Sequence, residues 1–109
     1  MKDSTKPQLF DPISRSLLKL GSDITDARRR RRLPVAVVAE RASISRITLS
    51  KIEAGAGGVS IRNVAAVLYA LGMLPRLADL ADARHDEVGM ALEEERLPKR
   101  IRLANNSKK

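Results

Sequence analysis

Apolar residues along most of the chain recur at steps of three and four positions, which is the spacing of one face of an α-helix. The first series runs from Ile13 to Ala27. Leu33-Pro34 is expected to end this helix, because the residue before a proline avoids the helical conformation. Residues 1–12 are polar and contain two prolines, which predicts a flexible N-terminal arm.

The same spacing predicts four more short helices, and no alternating pattern typical of a strand occurs. Ser45 and Ser60 precede two of them at the N-cap position, where a hydroxyl can accept a backbone hydrogen bond. The predicted class is therefore all-α, with five helices in one domain over residues 13–84. The four helices are Val35 to Ala42, Arg46 to Ala54, the segment from Ile61 to a stop at Gly72, and Leu74 to Arg84.

Beyond His85 the helical pattern weakens. Asp86 to Glu95 is acidic at its end and is a candidate for one more short helix, which Pro98 would break. Residues 85–109 are therefore expected to form a C-terminal extension, acidic and then basic, that is partly disordered.

The charge of the chain is concentrated in two segments. Of a net charge of +8, five positive charges come from Arg28 to Arg32 and six from Arg96 to Lys109, and without these eleven the chain would carry −3. Two basic patches on an otherwise mildly acidic protein suit a polyanion. The alternative is a solvated helix end together with a disordered tail.

Composition argues against an enzyme. The chain has no cysteine and a single histidine, His85, and it has neither a glycine-rich phosphate loop nor a metal-ligand spacing. We therefore expect no catalytic residue, no metal and no cofactor. No apolar run is long enough to span a bilayer, and residues 1–10 lack the apolar stretch of a signal peptide, so a cytoplasmic protein with no membrane partner is expected.

The segment from Val35 to Glu53 has the pattern of a helix-turn-helix. Ala39 is the small residue that the crossing of two helices requires, and Ser43-Ile44 supply a tight turn followed by an apolar residue. Leu49 and Ile52 are spaced to meet the first helix, which leaves the other face of the second helix for a major groove.

Residues 33–55, LPVAVVAERASISRITLSKIEAG, resemble the XRE family of Cro and phage-repressor-like helix-turn-helix domains. Two positions depart from that family. Val35 replaces its usual glutamine, which argues against a phosphate contact that the glutamine often supports, and Ser43 replaces its usual turn glycine at a cost of about 1 kcal/mol. The matching positions are Ala39, Ile44, Ser45, Leu49, Ser50, Ile52, Glu53 and Gly55.

A narrower resemblance concerns two flanking segments. Residues 70–82, ALGMLPRLADLAD, and 96–102, RLPKRIR, are similar to HipB-type antitoxins, the regulators encoded beside HipA-type kinase toxins. This resemblance implies a dimer that represses its own operon and binds a HipA-like kinase toxin as a partner.

The XRE resemblance implies double-stranded DNA as the partner, bound at a palindromic operator by a homodimer. Glu53 is expected to pair with Arg28 or Arg31 of the first helix and so to be structural. The predicted dimer interface is Leu74, Leu77 and Leu80. The predicted DNA-binding residues are Ser45, Arg46, Ile47, Thr48, Ser50 and Lys51, with Arg41, Ser60, Arg62, Arg28 and Arg31 as candidates for the phosphates.

Together the two resemblances imply a DNA-binding transcriptional repressor that is the antitoxin of a HipA-type operon. Two alternatives stay open: a stand-alone phage-like regulator, and a protein-bridging adaptor that uses the fold without specific DNA binding. RNA binding is a weaker third, because Phe10 and Tyr69 are the only aromatic residues available for stacking.

Overall fold

The computed structural model describes residues 11–95, and these residues contain helices and turns but no strand. This confirms the all-α class. The predicted tail and nearly all of the predicted arm lie outside the described residues. The helices are α1 (Pro12–Arg30), α2 (Val35–Ala42), α3 (Arg46–Glu53), α4 (Ile61–Ala70) and α5 (Leu74–Ala78), followed by a 3-10 turn (Ala83–His85) and by α6 over 87–95.

The ends of the first four helices follow from local chemistry. Pro12 is the first residue of α1, and the side chain of Asp11 accepts a hydrogen bond from the N–H of Ile13, so the helix includes the last residue of the predicted arm. Ser45 and Ser60 cap α3 and α4 as predicted, and α2 has the predicted bounds. At the end of α1, Arg32 adopts the left-handed conformation (φ 55°), which lets the N–H of Leu33 bond back to the carbonyl of Arg28.

The structure divides into two compact units, one ending at Leu77 and the other beginning at Ala78. In the first unit α2 packs against α4 and α3, and α1 packs against α3. One core joins these four helices, and its buried residues are Ile24, Ala27, Val38, Ala39, Ala42, Leu49, Ile52, Val67, Leu68 and Leu71.

The core covers only the second half of α1. Ile24 and Ala27 are buried as their spacing predicts, but Ile13 is 68% exposed and Leu20 is 39% exposed. The apolar stripe was therefore a correct guide to the helix and an incomplete guide to burial.

The fifth helix is shorter than predicted, ending at Ala78 instead of Arg84. Asp82 accounts for the difference: its carboxylate accepts the backbone N–H of Arg84 (2.8 Å) and the Nε–H of the same residue (3.0 Å), which caps the 3-10 turn. A short acidic side chain that bonds the backbone two residues on competes with helix continuation. In the same unit, Asp86 accepts the N–H of Gly89 (3.0 Å) at the start of α6.

Candidate nucleic-acid interface

The turn between α2 and α3 is held by a left-handed residue. Ser43 has φ 59° and ψ 41°, and the N–H groups of Ser43 and Ile44 donate to the carbonyls of Glu40 and Ala39, each at 3.0 Å. This arrangement uses carbonyls at the end of α2 that would otherwise lack partners. A serine adopts this conformation at a cost of about 1 kcal/mol that a glycine would avoid.

The third helix is amphipathic. Leu49 and Ile52 are buried, whereas Arg46, Ser50 and Lys51 are exposed and Ile47 is 70% exposed. Within the described part of the chain, the guanidinium of Arg46 and the ammonium of Lys51 have no hydrogen-bond or ion-pair partner. The structure thus brings four of the predicted DNA-binding residues together on the outer face of α3.

Ser45 and Thr48 are used first by the helix itself. The Oγ of Ser45 accepts the N–H of Thr48 (3.0 Å) and donates to its Oγ1 (3.0 Å). The hydroxyl proton of Ser45 is therefore engaged, while the hydroxyl of Thr48 keeps a proton for an outside acceptor. Of these two predicted contacts, Thr48 is the one with a donor to offer.

One ion pair ties the end of α3 to α1. Arg28 Nε donates to Glu53 Oε2 at 2.7 Å, and Arg28 Nη2 donates to Glu53 Oε1 at 3.1 Å. The two side chains are only 11% and 12% exposed, and the hydrogen bonds that Arg28 donates to Glu53 raise the pKa of its guanidinium. This confirms that Glu53 pairs with an arginine of α1, with Arg28 as the partner.

The same contacts correct the expectation that Arg28 binds DNA. Its Nη1 also donates to the carbonyl of Leu33 (3.1 Å), so all three of its nitrogens have partners inside the fold. Because the guanidinium is mostly buried and each of its nitrogens already donates inside the fold, the structure places Arg28 as a structural residue and not as a phosphate contact. Arg31 remains exposed, with one bond from Nη1 to the carbonyl of Ala27 (2.9 Å).

Two glycines bring α3 close to α1. A Cβ on Gly21 would lie 2.5 Å from the carbonyl oxygen of Glu53, and one on Gly55, which has φ +80°, would lie 2.7 Å from the Cα of Leu18. Both neighbours are backbone atoms, so only glycine allows this separation. Gly55 belongs to the predicted motif, whereas Gly21 was not predicted, and its one signal in the sequence is a glycine inside the apolar series of α1.

The remaining phosphate candidates are exposed. Ser60 caps α4 by accepting the N–H of Asn63 (3.1 Å), and Arg62 follows in the first turn of the helix. Arg62, Asn63 and Ser43 belong to the lining of an open depression beside α2 and α4. Arg41 is exposed in the last turn of α2.

Val35 is half-buried and packs against the core as the first residue of α2. The valine that stands where the XRE pattern has a glutamine therefore contributes packing and offers no hydrogen bond to a phosphate.

The predicted dimer interface is not one helical surface. Leu77 packs against the core, Leu74 is 36% exposed on α5, and Leu80 is 74% exposed beyond the end of that helix. The expectation that the three leucines share one helix is wrong, because the turn before Asp82 replaces the last part of the predicted helix.

The two units differ in charge. Residues 11–77 contain twelve basic and five acidic residues, whereas residues 78–95 contain seven acidic residues and one arginine. The candidate interface thus lies in a strongly basic unit, which suits a polyanion.

Residues 11–95 hold no group of three side chains that could bind a metal ion. None of the helices described is both long enough and apolar enough to cross a membrane.

Comparison with known proteins identifies the family of this chain. Neither the curated proteins nor the solved structures include a match to the chain. A family model described as a helix-turn-helix domain matches residues 19–88, which is more than half of the chain and includes α2, the turn and α3. The family is related to the XRE type and is typically non-enzymatic. On this match and on the geometry of α2 and α3, the chain belongs to the helix-turn-helix domain family of DNA-binding proteins.

Proposed function

We propose that this protein is a sequence-specific transcriptional repressor that inserts α3 into the major groove of double-stranded DNA. The observation that carries the proposal is the division of α3 into two faces. Leu49 and Ile52 fix one face in the core, while Arg46 and Lys51 extend from the other without partners in residues 11–95. Cations of this kind can bond the O6 and N7 of guanine.

Phosphate contacts would orient the helix in the groove. Three exposed cations are candidates: Arg31 follows the end of α1, Arg41 lies in the last turn of α2 and Arg62 in the first turn of α4. Ser60 caps α4, whose first N–H groups favour an anion. Because α1 is held to α3 by Arg28 and Glu53, its basic end keeps a fixed position relative to the recognition helix.

A symmetric dimer on a palindromic operator is the assembly that we propose. Two copies of α3 would then lie about 34 Å apart, one turn of the duplex. Leu74 and Leu80 stay candidates for the dimer contact, since both are exposed, but they would act from separate segments.

The finer proposal is that the repressor is the antitoxin of a HipA-type operon. Its support is the similarity of residues 70–82 and 96–102 to HipB-type antitoxins. Its test is co-expression of the full chain with the kinase-like protein of a neighbouring gene: a stable complex that lowers the kinase activity supports it. A kinase that neither binds nor is inhibited leaves a stand-alone regulator.

The decisive experiment is selection of binding sites from a random DNA pool with the full chain, followed by fluorescence anisotropy on the selected site and a scrambled duplex. Arg46→Ala is expected to weaken binding to the selected site by roughly 1–3 kcal/mol and to relax specificity at one position. Arg62→Ala is expected to weaken binding to both duplexes equally. It should also lower the slope of log affinity against log salt concentration by about 1.

Arg76→Ala is the matched control, because Arg76 is an exposed arginine of α5 and is not among the residues proposed to contact DNA. It should leave both affinities unchanged. Equal affinity of the unaltered protein for selected and scrambled DNA would refute sequence-specific repression and favour the protein-bridging adaptor.

A further inference from the structure

Ile47 is the one large apolar side chain on the outer face of α3. It is the second residue of the helix and is 70% exposed. It is absent both from the buried core and from the half-buried apolar residues that pack against that core. Its four-carbon side chain therefore contributes nothing visible to the packing of this unit.

The surroundings of Ile47 restrict what it can contact. Ser50 and Lys51 follow it at three and four positions, so they share its face of the helix, and both are polar and exposed. The hydroxyl of Ser45 donates to that of Thr48 in the N-cap, which leaves the proton of Thr48 for an outside acceptor. The start of α3 thus presents one apolar group bordered by hydrogen-bonding groups.

The first turn of a recognition helix is the part that reaches base edges in the major groove. Among the groups exposed there, the C5-methyl of thymine is the apolar one, and it distinguishes thymine from cytosine. An isoleucine at this place would bury apolar surface against apolar surface when it meets a thymine methyl, whereas a polar base edge would leave its methyl groups facing donors and acceptors.

We propose that Ile47 is a specificity-determining residue that packs against the C5-methyl of a thymine in each half-site, an inference that rests on the proposed function. The half-site therefore contains a T·A pair opposite the first turn of α3. Arg46 and Lys51, on either side of Ile47 in the sequence, then contact base pairs next to it.

The test removes the methyl group without altering the base pairing. After site selection, each thymine of the selected half-site is replaced in turn by deoxyuridine, and affinity is measured for the unaltered chain and for Ile47→Ala. At one thymine, replacement by deoxyuridine is expected to lower the affinity of the unaltered chain about fourfold, which is the fold-change for burying one methyl-sized group. In Ile47→Ala the same replacement should cost less than about 1.5-fold, because the partner side chain is gone.

Ile61→Ala is the matched control, since Ile61 is equally exposed (71%) and begins α4. It should retain the full penalty for deoxyuridine. Unfolding midpoints of both variants should equal that of the unaltered chain, because neither side chain belongs to the core.

The outcomes separate this inference from the function on which it rests. A selected consensus with no thymine, or one where every deoxyuridine penalty persists in Ile47→Ala, overturns the thymine contact and leaves sequence-specific binding intact. Failure to select any consensus refutes the repressor and the thymine contact together.

Discussion

Gly21→Ala tests the close approach of α1 to α3. The added Cβ would lie 2.5 Å from the carbonyl oxygen of Glu53 and 2.6 Å from that of Ile52. To reach a tolerable separation of 3.0–3.4 Å, the two helices must move apart by about 0.5–0.9 Å. Both oxygens belong to the backbone, so no side-chain rotation can relieve the contact.

Two opposing terms set the expected magnitude. Forcing an extra methyl group into a packed site costs roughly 1–3 kcal/mol, and the backbone contact places this variant at the upper end. Alanine is favoured over glycine inside a helix by about 1 kcal/mol. The net expectation is a free energy of unfolding lower by about 2 kcal/mol, or a melting temperature about 8–16 °C lower for a domain of this size.

The assay is thermal and urea unfolding of the full chain followed by circular dichroism. Ser22→Ala is the matched control, because Ser22 is the next residue of α1 and is exposed. It changes helix propensity without a clash and should be neutral or slightly stabilising. If Gly21→Ala proves as stable as Ser22→Ala, the separation of α1 from α3 is not fixed by this glycine.

Three further predictions follow from the ion pair, the turn and the acidic cap. Glu53→Ala should lower the free energy of unfolding by about 3 kcal/mol, because Arg28 would be left mostly buried without a counter-charge. Asp23→Ala, which removes an exposed ion pair, should cost less than about 1 kcal/mol in the same urea titration. Ser43→Gly should raise the urea midpoint by the equivalent of about 1 kcal/mol, and a lowered midpoint would show that this turn is not strained. The hydrogen bonds that Arg84 donates to Asp82 hold the pKa of this carboxyl below its usual range. The cap that Asp82 provides is therefore present above the ordinary carboxyl pKa, and it is lost only as pH falls through the lowered value. A carboxyl NMR titration showing an ordinary pKa for Asp82 would contradict this.

Helix ends set by local chemistry were predictable from the sequence. Ser45 and Ser60 cap helices with their own hydroxyls, so the neighbouring residues determine the outcome. The end of α5 depended on a choice between two local interactions. Leu77 and Leu80 have helical spacing, but Asp82 bonds the backbone two residues on, and that turn replaced the last part of the helix.

Burial was less predictable than helicity, because it depends on which elements lie opposite each face. Ile13, Leu20 and Ile24 share one stripe of α1, but the other helices of the unit bury only Ile24. Spacing fixes the direction of a side chain relative to its own helix. It carries no information about where the neighbouring helices end.

The spacing of residues along α1 explains why Arg28, and not Arg31, is the partner of Glu53. Gly21 and Arg28 are seven residues apart, so they lie on nearly the same face of α1. The backbone at the end of α3 touches that face at Gly21, and therefore Glu53 meets Arg28 two turns later. One arginine of the run of five is thus structural, and substitutions can separate the two roles: replacing Arg28 should lower stability, whereas replacing the exposed Arg31 should lower DNA affinity without changing the unfolding midpoint.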